Sequence, residues 1–168
     1  MGFSQINKTV SDGTATTLKV TGIDTDSTYL VVLKLIQTQN NNEVINMRVT
    51  KSGTADSTSN YDRAYRYFSS IADFGFGTYQ NGTGGRIMEN VDDANGGGNG
   101  FLHLYDFNNS STYSYWNIEN VCTVSNQSAG VAGSGVHTVA SASDGVEIYG
   151  SSGGTFINGA SAILYKVT

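Results

Sequence analysis

The chain has 168 residues, a formal charge of −5 and 14% charged residues, against about 25% in an average soluble domain. That length suits one domain over 1–168 with its own core, and the acidic, sparsely charged composition argues against nucleic acid, which demands clustered Lys and Arg. Proline is absent, glycine numbers 21 and cysteine one, which excludes polyproline and collagen-like architectures and an internal disulfide.

Strand signals recur along the whole chain. Phe3–Asn7 and Thr17–Val20 are short runs on either side of the Asp12-Gly13 turn signal. Tyr29–Ile36 is almost continuously apolar and predicts a strand buried on both faces. After the polar loop Gln37–Glu43, Val44–Thr50 alternates, with Ile45, Met47 and Val49 on one side. Tyr61–Phe68 places Tyr61, Arg63, Tyr65 and Tyr67 on one face. Ile87–Val91, Phe101–Phe107, Tyr113–Ser125, Val136–Val139, Val146–Tyr149 and Phe156–Val167 complete the predicted set. Asp92–Gly100 reads as a long hairpin loop. Asn-Gly pairs at Asn81, Asn95, Asn99 and Asn158 mark tight turns, and no window keeps a helical period. Short strands with Gly-rich turns define an all-β, antiparallel sandwich or barrel.

The last two runs carry extra information. Val146 and Ile148 share one face, and Ile163, Tyr165 and Val167 share another. Each run reads as a strand with one buried side, and Ser151–Gly154 predicts a turn that joins them as a closing hairpin.

The chemistry-bearing residues are few. His103 and His137 fall at alternating strand positions, without a partnering nucleophile at a usable spacing. Zinc sites need more Cys and His than this chain has, and Cys122, flanked by Val121 and Thr123, reads as a buried small hydrophobe. Asp24/Asp26 and Asp92/Asp93 with Asn95 supply oxygens of the kind calcium takes, and are equally ordinary turn formers. No run reaches the roughly 18 apolar residues of a membrane helix, and MGFSQINKTV lacks the charged and apolar regions of a secretory leader. The chain is expected to be no enzyme and to hold no cofactor. The aromatic residues are the candidate contact set, for a protein interface or a glycan: Tyr61, Tyr65, Tyr67, Tyr113, Tyr115 and Trp116.

Several segments together resemble small structural proteins of tailed bacteriophages. They are Val20-Thr21-Gly22-Ile23-Asp24, the strand Tyr29–Ile36, the loop Gln37–Glu43, Val44–Gly53 leading into a Ser-Gly turn, the Tyr-rich Asn60–Phe68, the Gly-rich entry Gly96–Phe107 and the ending Asp144–Val167. The resemblance covers most of the chain. It departs at Ile163-Leu164-Tyr165, where the family spaces Ile from Leu, and at Ala160–Ala162, where larger residues are usual. A bulge near Ser161 would restore the phase.

The resemblance implies a jelly-roll-like β-sandwich located in the virion. It implies a homo-oligomer, taken as a trimer, that decorates the capsid and contacts other virion proteins such as the major capsid protein. The alternative it leaves open is a receptor- or glycan-binding tip module of a head or tail fibre.

Overall fold

The computed structural model describes residues 2–70, 74–91 and 97–168. In chain order the strands are β1 Phe3–Val10, β2 Thr17–Thr21, β3 Tyr29–Ile36, β4 Glu43–Lys51, β5 Thr54–Ala55, β6 Tyr61–Ser69 and β7 Gly75–Gly82. They continue as β8 Gly85–Val91, β9 Gly98–Tyr105, β10 Ser114–Val124, β11 Gln127–His137, β12 Gly145–Gly150 and β13 Ser161–Val167. The large sheet runs β1-β13-β3-β9-β10-β11-β6-β7; the small one runs β2-β12-β4-β5, with β8 also paired to β4. All pairings are antiparallel.

The core of this arrangement is a jelly roll. Eight strands, β1, β2, β3, β4, β8, β9, β12 and β13, form the facing sets β1-β13-β3-β9 and β2-β12-β4-β8. This is the double Greek-key order in which the chain crosses between sheets at nearly every connection. Two hairpins, β6–β7 and β10–β11, widen only the large sheet, as β10-β11-β6-β7 beside β9. Between the sheets lie Leu18, Val20, Val31, Leu33, Met47, Val49, Leu102, Leu104, Ile118, Val146, Ile148 and Leu164, all buried. Period-2 alternation produces this core, because successive side chains leave a strand on opposite sides.

The structure corrects several expectations about the strands. β12 and β13 are not a hairpin. β12 lies between β2 and β4 in the small sheet, and β13 between β1 and β3 in the large one. Each run has a buried face, and the two faces meet across the sandwich. The buried residues of β13 are Ser161, Ala162 and Leu164, while Ile163, Tyr165 and Val167 are only half-buried. β13 begins at Ser161, and Phe156 makes an isolated bridge to Thr38. Its pairing with β3 is unbroken from Ser161 to Lys166; the irregularity lies on β1, where the register skips Ile6.

β3 is buried on one face only, through Tyr29, Val31 and Leu33, with Lys34 exposed on the other. β9 starts at Gly98, inside the segment read as a loop. Residues 92–96 of that segment lie outside the described residues. β7 and most of β11 carried no strand signal, for reasons visible in the site they build.

Candidate binding face on the outer side of the large sheet

Two of the predicted contact residues belong to the core. Tyr61 and Trp116 are fully buried, with ring centroids 6.2 Å apart. The Val49 amide donates to the Tyr61 hydroxyl (3.1 Å), which itself donates to the Asp56 carbonyl (2.7 Å). Burial pushes the Tyr61 phenol well above its ordinary pKa. Neither side chain is available to a partner, which corrects their assignment as surface contacts. The shared face of Tyr61, Arg63, Tyr65 and Tyr67 is the inner one, and it opens to solvent toward Tyr67.

Tyr65 and Tyr67 cover glycines of the edge strand. The register sets Tyr65 opposite Gly77 and Tyr67 opposite Gly75. A Cβ at those glycines would stand 2.4 Å and 1.9 Å from the respective tyrosine Cζ atoms. Rings laid over edge glycines replace packing that the glycines cannot provide. The Tyr65 hydroxyl also accepts from Arg86 Nη1 at 3.2 Å, and Arg86 is held by both oxygens of Glu89 at 2.7 and 2.9 Å. With glycines on the inner side, β7 turns Phe76 outward, 81% exposed, and Phe74 just before the strand is 83% exposed.

Tyr113, Tyr115 and, at the open end of β6, Tyr67 are the predicted aromatics that remain on the surface. Tyr115, 43% exposed, stands on the outer face of β10, registered with Tyr105 of β9 on one side and Val136 of β11 on the other. His103, one alternate position along β9, stacks with Tyr105 at 6.5 Å and 16°. Next to Tyr115 the outer face sinks into a trough of about 910 Å³ across β10, β11, β6 and β7. One row of registered residues, Asn117–Ser134–Ala64–Thr78, crosses it from strand to strand. A second row carries Tyr115, Val136 and Asp62, and Gln80 stands on the far bank. Small residues at Ala64 and Ser134 lower the floor between the Tyr115 and Gln80 banks. A shallower apolar depression of about 380 Å³, with Phe68, Phe101 and Val121, lies further along the same face.

The remaining candidates have structural surroundings. His137 is buried with Nε2 2.9 Å from Asp56, and Cys122 is buried and free. Asp24 accepts from the Tyr29 hydroxyl at 3.3 Å and faces Lys166 at 3.8 Å, while Asp26 accepts from Asn109 at 3.0 Å. Among the described residues no three or more His, Cys, Asp or Glu gather into a metal-binding group. Asp92, Asp93 and Asn95 lie outside the described residues. Compared with protein-family models, curated protein sequences and solved structures, the chain matches none.

Proposed function

We propose that this chain is a non-enzymatic structural protein of a bacteriophage virion, a homo-oligomeric capsid decoration protein that acts by surface contact. The observation that carries this reading is the contrast among the sheet edges. An exposed strand edge offers unpaired backbone donors and acceptors, and proteins blunt such edges with charge, bulges or brevity. β1 has Lys8 and an irregularity at Ile6. β2 spans five residues and contains Lys19, and β5 spans two.

β7 spans eight residues without a charged side chain, is regularly paired to β6 from Gly75 to Tyr79, and has no strand on its other side among the described residues. With Phe76 and Phe74 exposed beside it, this edge is furnished for a partner. A second copy and the neighbouring capsid protein are the partners the phage resemblance supplies, and a trimer is the order it implies.

Sedimentation of the purified protein, with and without emptied phage particles, tests the reading. An oligomer that binds particles and is reduced to a monomer by Phe76→Lys is expected. A strictly monomeric chain that also fails to bind particles overturns it.

A further inference from the structure

We propose that the trough on the outer face of the large sheet is a binding site for an uncharged oligosaccharide. A sugar ring presents two chemistries at once. Its C–H faces are apolar and pack against aromatic rings, while each hydroxyl both donates and accepts hydrogen bonds. A site for it therefore needs an exposed ring beside planar amide or carboxylate groups on a rigid support.

The trough has each part. The Tyr115 ring stands on one bank, backed by Tyr105 and His103. Asn117 beside it and Gln80 on the opposite bank are exposed amides, each with a donor and an acceptor. Asp62 uses Oδ1 to accept from the Asn81 amide at 2.8 Å, and its second oxygen has no partner among the described residues. Thr78 and Ser134 add hydroxyls along the floor row.

The size and rigidity also fit. A volume of about 910 Å³ lies at the upper end of the roughly 300–1,000 Å³ range of small-molecule sites. The row from Asn117 to Thr78 crosses four strands at roughly 4.8 Å intervals, which gives a platform long enough for more than one sugar ring. The β10–β11 and β11–β6 pairings beneath it have no register break, so Asn117, Ser134 and Asp62 are held in place before a ligand arrives.

Charge selects the ligand class. Arg63 at the rim is turned away: its Nη1 donates to the Gly84 carbonyl at 3.1 Å and its guanidinium lies 5.0 Å from the Tyr79 ring centroid. The unpartnered charge in the trough is thus a carboxylate oxygen, which repels sulfated, phosphorylated or sialylated sugars and accepts from neutral hydroxyls.

An array of neutral and anionic oligosaccharides, probed with the purified protein, tests this. Binding to neutral glycans is expected, weakened at least about tenfold by Tyr115→Ala and by Asn117→Ala. Tyr115→Trp and Phe101→Ala, the latter outside the trough, should retain it. Thermal unfolding of each variant confirms that the fold is kept. No signal on neutral glycans, a preference for anionic ones, or binding indifferent to Tyr115 and Asn117 in folded variants overturns the site.

Discussion

The imidazole of His137, 1% exposed, meets the carboxylate of Asp56 with Nε2 and Oδ2 2.9 Å apart. Opposite an ionised carboxylate, Nε2 carries the proton and donates. Nδ1 is buried and has no partner, so a second proton would find no acceptor. Burial therefore holds the ring below its ordinary 6.5, against the opposite pull of Asp56. Asp56 is held below 3.8: burial pushes it upward but is outweighed by hydrogen bonds from Thr58 and by His137.

Both shifts make folding depend on pH in the same direction. The unfolded chain binds a proton at His137 that the folded chain resists, so stability is full above 6.5 and falls as pH drops through the folded value. The Asp56 contribution is present above 3.8 and is lost as pH falls further. Urea midpoints measured from neutral pH downward should decline in two stages, and His137→Gln should flatten the first. A wild-type midpoint unchanged between 6.5 and 5 would contradict this.

Trp116, the single tryptophan, fills space left by glycines. A Cβ at Gly135 would stand 2.1 Å from its Cζ2 atom, and one at Gly85 2.5 Å from the same atom. Trp116→Ala should cost ~3–5 kcal/mol through the cavity it leaves, and Gly135→Ala about 1–3 kcal/mol through overpacking. Urea titrations followed by circular dichroism read both, and near-wild-type stability in either would show that the site relaxes.

Glu43 is a buried acid that closes two loops onto each other. Its Oε1 accepts from the Ser152 and Gly154 amides at 2.6 and 3.4 Å, and Oε2 from the Thr38 hydroxyl at 2.6 Å. Glu43→Ala leaves these donors unmet and should cost about 3 kcal/mol. Glu43→Gln keeps an acceptor oxygen and should lose less. Equal losses in the two variants, measured by urea unfolding, would mean that acceptance is not what the carboxylate supplies.

Cys122 should be silent toward thiol reagents in the folded protein. Burial, then the nearby Glu89 charge, pushes its thiol up to about 11, and only the thiolate reacts. A colorimetric disulfide reagent at mildly alkaline pH should label the chain after urea unfolding and not before. Fast labelling of the native chain would place the thiol at an open surface.

The apolar run Tyr29–Ile36 and the alternation in Val44–Thr50 and Val146–Tyr149 were enough to read these segments as strands and to assign the all-β class. Sequence pattern failed for β7 and for β11 before Val136, whose runs Gly75-Phe76-Gly77 and Gly133-Ser134-Gly135 carry no apolar period. Their residues are small because Tyr65, Tyr67 and Trp116 from other strands occupy the space. The trough was illegible for a related reason: Asp62, Thr78, Tyr115 and Ser134 are far apart in the chain and meet only through four-strand register.

What the sequence by itself determined is the all-β class, most of the strands and which residues of those strands share a face, since a pleated strand sends alternate side chains to opposite sides. Only the tertiary structure decided which of those faces the second sheet covers. Tyr61 and Tyr115 are both strand tyrosines preceded by a small polar residue, Asn60 and Ser114. One is a core residue and the other lines a trough because the small sheet spans the inner side of β6 and leaves the outer side of β10 open. That distinction rests on long-range pairing, which no local run of residues encodes.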